Sequence, residues 1–342
     1  MKKVLSIVIA VLLAIGCLSA CGSGSSQSNT DTGTIQIVTT IFPEYDWVMN
    51  ILGDNPAKAD VTMLLDTGVD LHSFQPTAED ILKISTCDLF IYVGGESDEW
   101  VDDALQEATN KDMIVINLLD VLGDAVKEEE VIEGMQEEAH DDEHEDGEDD
   151  YDDDHEHEQE EGEVEYDEHV WLSLKNAAVL VEDISGMVQK LDPDNADLYQ
   201  RNTTAYIGHL SDLDSEYQAA VSNASYTTLL FGDRFPFRYL ADDYDLSYYA
   251  AFVGCSAETE ASFETVTFLA QKIDELSLPA VMTIEGTDHR IAETIVQNTR
   301  TKDQQILTMD SMQATTAKDA LNGAAYLSIM EKNLSVLKDA LN

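Results

Sequence analysis

Ile35-Gln36-Ile37-Val38-Thr39-Thr40-Ile41 is a run of β-branched and apolar residues. An amphipathic stretch follows at 44–52, and then a second run of the first kind, Val61-Thr62-Met63-Leu64-Leu65. Strand, helix and strand in that order make a βαβ unit, whose two strands lie parallel. The alternation continues with strands expected at 89–93 and 114–118 and helices at 78–84 and 99–108. A second block of the same kind has strands at 227–231, 248–252, 280–284 and 305–309, and closes on an amphipathic helix over 317–341. Between the blocks 170–191 reads as helix. Pro193 then opens a long helical stretch through Asn223, with Leu198, Tyr206, Leu210, Leu213 and Tyr217 close to helical spacing. The expected fold class is α/β: two βα lobes with parallel sheets, 34–192 and 224–342, joined by one long rigid helix, 193–223. Such lobes turn the carboxyl ends of their strands toward the cleft between them, where open α/β sheets bind ligands.

Outside the lobes, Lys2 and Lys3 precede an apolar run over 4–18 that is too short and too lightly flanked for a stable membrane span. Leu18-Ser19-Ala20-Cys21, followed by Gly22-Ser23-Gly24-Ser25-Ser26, resembles the cleavage box of a bacterial lipoprotein. Residues 1–20 are therefore expected to be a signal peptide and Cys21 a lipid anchor on the outer face of the cell membrane, with 21–33 a flexible tether. Only Cys87 and Cys255 remain beyond it, so stability has to come from burial and not from a disulfide framework.

The net charge of −51 excludes nucleic acid as a partner and disfavours adhesion to anionic lipid by charge, and it makes cations the natural partners. About half of that charge lies in one place: residues 128–168 hold 25 acidic side chains and no lysine or arginine. Its apolar-poor stretch, 128–166, is expected to be a solvated, disordered insertion in the first lobe, since it has too little apolar area to offset the entropy of ordering. Four of the eight histidines, His140, His144, His155 and His157, fall in this tract, a composition suited to weak, plural binding of zinc-like ions. His140-Asp141-Asp142-Glu143-His144 also matches the H-x-x-E-H string of certain zinc peptidases, but that motif needs a buried helix and here it sits in low complexity.

Two further histidines stand at lobe edges, His72 in Asp70-Leu71-His72-Ser73-Phe74-Gln75-Pro76 and His169 in Asp167-Glu168-His169-Val170-Trp171-Leu172. With these motifs the chain, from Ile35 to Leu341, resembles the zinc- and manganese-binding solute-binding proteins of ABC importers. In that family a segment like Asp-Pro-His-x-Tyr-x-Pro carries the first metal histidine. A segment like Asp-x-His-Val-Trp-Leu, after a His- and acid-rich loop, carries the second. The resemblance implies that His72 and His169 are metal ligands, with Leu71 replacing the family's proline. It also puts Arg234, in Arg234-Phe235-Pro236-Phe237-Arg238-Tyr239, where the family has a third ligand. Arginine is permanently cationic and cannot coordinate. Asp233 is the substitute, leaving Arg234 to pair with a carboxylate such as those of Glu258-Thr259-Glu260. Asp310, after the last strand, is the expected fourth ligand, and Glu285 its reserve.

The function so implied is that of an extracytoplasmic, monomeric metal-binding protein. It captures a divalent transition metal, Zn2+ first and Mn2+ second, for a membrane permease, and it is not an enzyme. Competing readings are a metal-dependent surface adhesin and a secreted metallohydrolase; the latter would need an open metal position and a buried general base.

Overall fold

The computed structural model describes residues 34–54, 59–136, 165–256, 260–286 and 288–342. The expected signal peptide, Cys21, the expected tether and His140, His144, His155 and His157 lie outside the described residues.

Strands β1 (Ile35–Thr39), β2 (Ala59–Met63), β3 (Leu89–Tyr92) and β4 (Ile114–Asn117) form one sheet in the order β2-β1-β3-β4, with every pairing parallel. Leu89, Phe90 and Ile91 are fully buried, as a central strand covered on both faces requires. Strands β5 (Thr228–Arg234), β6 (Ser247–Phe252), β7 (Ala280–Ile284) and β8 (Gln305–Met309) repeat the winding in the order β6-β5-β7-β8, again all parallel. In each sheet the strand order reverses beside the first strand, between β1 and β3 and between β5 and β7. These are the switch points at whose carboxyl ends ligands bind.

Helices α1 (Phe42–Leu52), α2 (Ala78–Thr86), α3 (Trp100–Gln106), α4 (Leu118–Leu122) and α5 (Leu174–Leu191) surround the first sheet. Helix α1 starts two residues earlier than its amphipathic pattern. Pro43 lies in its first turn, and the Glu44 carboxylate accepts from the backbone N–H groups of Thr40 (2.8 Å) and Ile41 (3.3 Å). The long connector α6 (Ala196–Ser222) runs 27 residues after a 3₁₀ turn at Pro193–Asn195. Around the second sheet lie α7 (Arg238–Asp243), α8 (Phe263–Leu276), α9 (Arg290–Asn298), α10 (Ala317–Leu321) and α11 (Tyr326–Ala340).

Helix α6 buries one stripe, Tyr199, Thr203, Tyr206, Leu210, Leu213, Tyr217 and Val221, and that stripe touches both lobes. Asn202 Nδ2 donates to the Ile51 carbonyl (2.9 Å) and Tyr206 to Asp46 (3.3 Å), both in α1. Tyr217 donates to the Met330 carbonyl in α11 (2.6 Å). Asp46 also accepts from the Tyr326 N–H at the start of α11 (3.2 Å), so three helices from the whole length of the chain meet at one carboxylate. One continuous apolar cluster runs from the first sheet through α6 into the second, and a smaller one lies under α8 and α9.

Two expectations are corrected. The closing helix is not one element: Gly323, in a left-handed conformation (φ +97°) after Asn322, ends α10 and separates it from α11. The acidic insertion is not disordered from Glu128 onward, although Glu128, Glu130, Val131 and Glu133 stay exposed. Glu128 pairs with Tyr166, Glu129 N–H donates to the Glu165 carbonyl (2.8 Å), and Gln136 N–H donates to the Ala251 carbonyl in β6 (2.9 Å). Met135 packs against the main core, which is apolar material enough to fix this neck. Tyr239 of α7 clasps both sides of it, its oxygen accepting from Lys127 N–H (3.0 Å) and its O–H donating to the Asp167 carbonyl (2.8 Å).

Candidate metal centre

His72 sits in a 3₁₀ turn, Leu71–Ser73, beyond the carboxyl end of β2, and Asp70 caps that turn by accepting from the His72 N–H (3.1 Å). His169 is fully buried just before the 3₁₀ turn Val170–Leu172, where Asp167 accepts from its backbone N–H (2.9 Å) and lies 3.0 Å from its Nδ1. The two Nε2 atoms meet 3.2 Å apart. On the far side of His72, Nδ1 is 2.8 Å from Ser97 Oγ and 3.4 Å from Glu168 Oε2. Each imidazole is thus gripped at Nδ1 by its own lobe, which sets the ring and leaves Nε2 for the site. Burial, and next the facing imidazole of His169, press His72 down to about 3, so its ring is neutral and available to a cation at ordinary pH.

The second lobe meets this pair with other residues than those expected. Arg234, at the end of β5, places its guanidinium on the Asp70 carboxylate and donates from Nη1 to the Ser256 carbonyl (3.2 Å). Burial would raise Asp70, but Arg234 and then His72 hold its carboxyl below the usual range. Among the described residues the acid that neutralises Arg234 is therefore Asp70, from the opposite lobe; Glu258 of the expected partner run lies outside them. Asp233 accepts from the N–H groups of Arg234 (3.0 Å) and Ile284 (3.3 Å), joining β5 to β7. Glu285 spends both oxygens on Ser311, one on its N–H and one on its Oγ, each at 2.7 Å. Asp310 is fixed by Asn333 at its N–H (2.8 Å) and accepts from the Met312 N–H (2.9 Å). None of these three carboxylates joins the histidine pair.

What they build is the loop that presents Gln313. Met312 is left-handed (φ +64°), and Trp171 Nε1 donates to the Ser311 carbonyl (2.9 Å). With the Gln313 amide, 3% exposed, turned to the orientation its neighbours require, its nitrogen lies 3.2 Å from His72 Nε2 and 3.1 Å from Asp70, and its oxygen 3.1 Å from His169 Nε2. Cys255, just past β6, is the other arrival: its sulfur and one ring nitrogen from each of His72 and His169 all lie within 4.8 Å of one another, the one such trio among the described residues. A cavity of about 230 Å³ opens beside them, lined by His72, Ser97, Glu168 and Cys255 and by Glu129 and Glu165 of the insertion neck.

Residues 37–340 match the family described as zinc-uptake complex component A, periplasmic, or ZnuA. The chain belongs to that family. The high-affinity zinc uptake system protein ZnuA of Bacillus subtilis is 29% identical over 326 residues, covering 95% of this chain and 93% of its own length. The zinc-binding lipoprotein AdcA of Streptococcus pneumoniae R6 is 30% identical over 99% of this chain and 61% of its own. Against the AdcA of Streptococcus pyogenes the chain spans 56% of that protein's length. Among solved structures, the Zn(II)-bound ZnuA-like domain of Streptococcus pneumoniae AdcA superposes with a TM-score of 0.67 at 26% identity, covering 90% of this chain and 99% of that domain. As in the ZnuA family at large, two α/β lobes flank a long helix here.

Gln313 and Cys255 escaped the sequence reading. Gln313 stands three residues after Asp310 in the same loop, where the search was for an acid. Cys255 follows the strand expected at 248–252, and the rule that made Glu285 a reserve, a ligating group at a strand's carboxyl end, applies to it equally.

Proposed function

We propose that this chain is the zinc-capturing component of an ABC importer. It is held outside the cell by an acylated Cys21, takes Zn2+ between its lobes and hands it to a membrane permease. The observation that carries the reading is the pair of buried imidazoles, His72 and His169, whose Nε2 atoms lie 3.2 Å apart while their other nitrogens are held by Ser97 and Asp167. Tetrahedral zinc sets neighbouring nitrogens about 3.3 Å apart, which follows from Zn–N bonds of about 2.0–2.1 Å. Imidazole suits zinc better than manganese, and the arginine that replaces a third ligand adds no hard oxygen. The printed names of the relatives, a zinc uptake protein and zinc-binding lipoproteins, point the same way.

His72 and His169 form the core of the proposed site. Asp233 and Asp310 stand apart from the histidine pair, accepting from the N–H groups of Ile284 and Met312. The tract over 137–164 with its four histidines would gather ions at the cavity mouth formed by its neck. Capture and release need coordination alone, so no catalytic step is invoked. The test is metal content and calorimetric affinity of the mature protein. His72→Ala and His169→Ala should each weaken zinc binding by orders of magnitude, and unchanged affinity in both would sink the proposal. Deleting 137–164 should lower stoichiometry while keeping one tight ion.

A further inference from the structure

We propose that Cys255 supplies a thiolate as third ligand, making the zinc site a His72, His169, Cys255 site; the inference rests on the zinc-capture reading above. The second lobe has to contribute something to an ion held between lobes, and its acids at the cleft are engaged elsewhere while Arg234 cannot coordinate. Among the described residues, its groups that reach the histidine pair are the Gln313 amide and the Cys255 sulfur. Of these, the thiolate is much the stronger ligand for zinc.

The local chain is shaped for the approach. Gly254 has no side chain, and one would stand 3.2 Å from His169 Cε1 and Nδ1 and 2.9 Å from the Phe235 carbonyl oxygen. The backbone therefore lies against the imidazole, carrying Cys255 with it. Glu129 of the insertion neck accepts from the Cys255 N–H (3.1 Å) and fixes the turn. A tetrahedral site with Zn–S of about 2.3 Å needs sulfur-to-nitrogen separations of about 3.6 Å. The two Nε2 atoms already meet that kind of spacing, and the sulfur lies within 4.8 Å of a nitrogen of each ring.

An independent observation points to a cation in the same place. Glu168, 2% exposed, lines the cavity with Cys255 and His72, and its Oε2 is buried without a hydrogen-bond partner, 3.4 Å from His72 Nδ1. A buried carboxyl oxygen left so is costly unless it is protonated or a cation arrives beside it. On coordination the thiol loses its proton to solvent and the sulfur binds the ion as thiolate, so uptake is accompanied by proton release. A soft ligand of this kind selects zinc and cadmium over manganese.

Cobalt reads the ligand directly. The full chain loaded with Co2+ should show a thiolate-to-metal charge-transfer band in the near ultraviolet together with the visible bands of a tetrahedral ion. Cys255→Ser should lose the first and keep the second, and should weaken zinc binding by at least about a hundredfold, more than loss of an outer partner of a ligand costs. Cys87→Ala should keep both bands, Cys87 being buried in the core. X-ray absorption of the zinc-loaded protein should show a sulfur shell at about 2.3 Å. Visible bands without charge transfer, or a zinc shell of nitrogen and oxygen only, would overturn the role of Cys255 while leaving the histidine pair intact. Zinc affinity unchanged in His72→Ala and His169→Ala would overturn both.

Discussion

The Arg234 guanidinium lies on the carboxylate of Asp70, two residues before His72, and so ties the end of β5 to the loop after β2 across the cleft. This is a positive charge within reach of a site meant for another positive charge, offset by one acid. Replacing it with an uncharged imidazole removes the repulsion. Arg234→His is expected to tighten zinc binding about tenfold, measured by chelator competition. Arg234→Ala leaves Asp70 half-buried and unpaired, and should lower unfolding stability in urea by about 2 kcal/mol, below the range for a fully buried pair. No loss of stability would mean that the pair is idle.

Gln313 touches both imidazoles with a neutral amide. Gln313→Glu puts a carboxylate at the same spot without changing size, and zinc affinity is expected to rise about tenfold. Weaker binding in the glutamate variant would show that the ion does not come to lie beside residue 313.

Asp167 holds His169 at Nδ1 from its own lobe. Asp167→Asn keeps the shape but removes the charge that orients the ring and strengthens Nε2 as a donor to metal. A loss of about 10–100-fold in affinity follows, with little change in melting temperature. Equal affinity would mean that packing alone positions His169.

Asp46 gives a test of the scaffold away from the metal. Burial raises its carboxyl from 3.8 to about 6, against the opposing bonds from Tyr326 N–H and the Tyr206 hydroxyl. The folded state therefore holds a proton that the unfolded state has released between those values. That stabilisation is full below about 4 and is lost as pH rises through 6. Asp46→Asn should flatten the fall in stability between pH 4 and pH 7 relative to the parent and gain about 2 kcal/mol at pH 7, since the amide oxygen still accepts from both partners. Urea titrations at several pH values decide it, and identical slopes for the two proteins would count against it.

The lobes were legible because parallel strands buried on both faces leave unbroken apolar runs, as at Leu89-Phe90-Ile91, and seven of the eight strands fell within two residues of their expected places at either end, β5 running three residues further. The meeting of His72 with His169 was legible because both sit in short local motifs. The second-lobe side of the site was not. Whether Asp310 faces the ion or its own loop depends on Asn333, 23 residues on, and whether Cys255 reaches His169 depends on a glycine backbone packing against a residue 85 positions earlier. Those are tertiary facts with no local signature. The neck of the insertion was missed for a related reason: its composition is dominated by acids, and the few apolar residues that anchor it, such as Met135, show their value only against a second lobe that lies far along the chain.

Helix α6, fastened to α1 through Tyr206 and to α11 through Tyr217 with Asp46 binding all three, makes the pair of lobes behave as a single block of masonry more than as a pair of jaws. On the proposed zinc-capture role, release by a wide opening of the lobes would break all of these bonds at once. A smaller shift of the loops that carry Cys255, Met312 and Gln313 would free the ion at less cost. A permease docking there would then unload it while the bulk of the protein stays still.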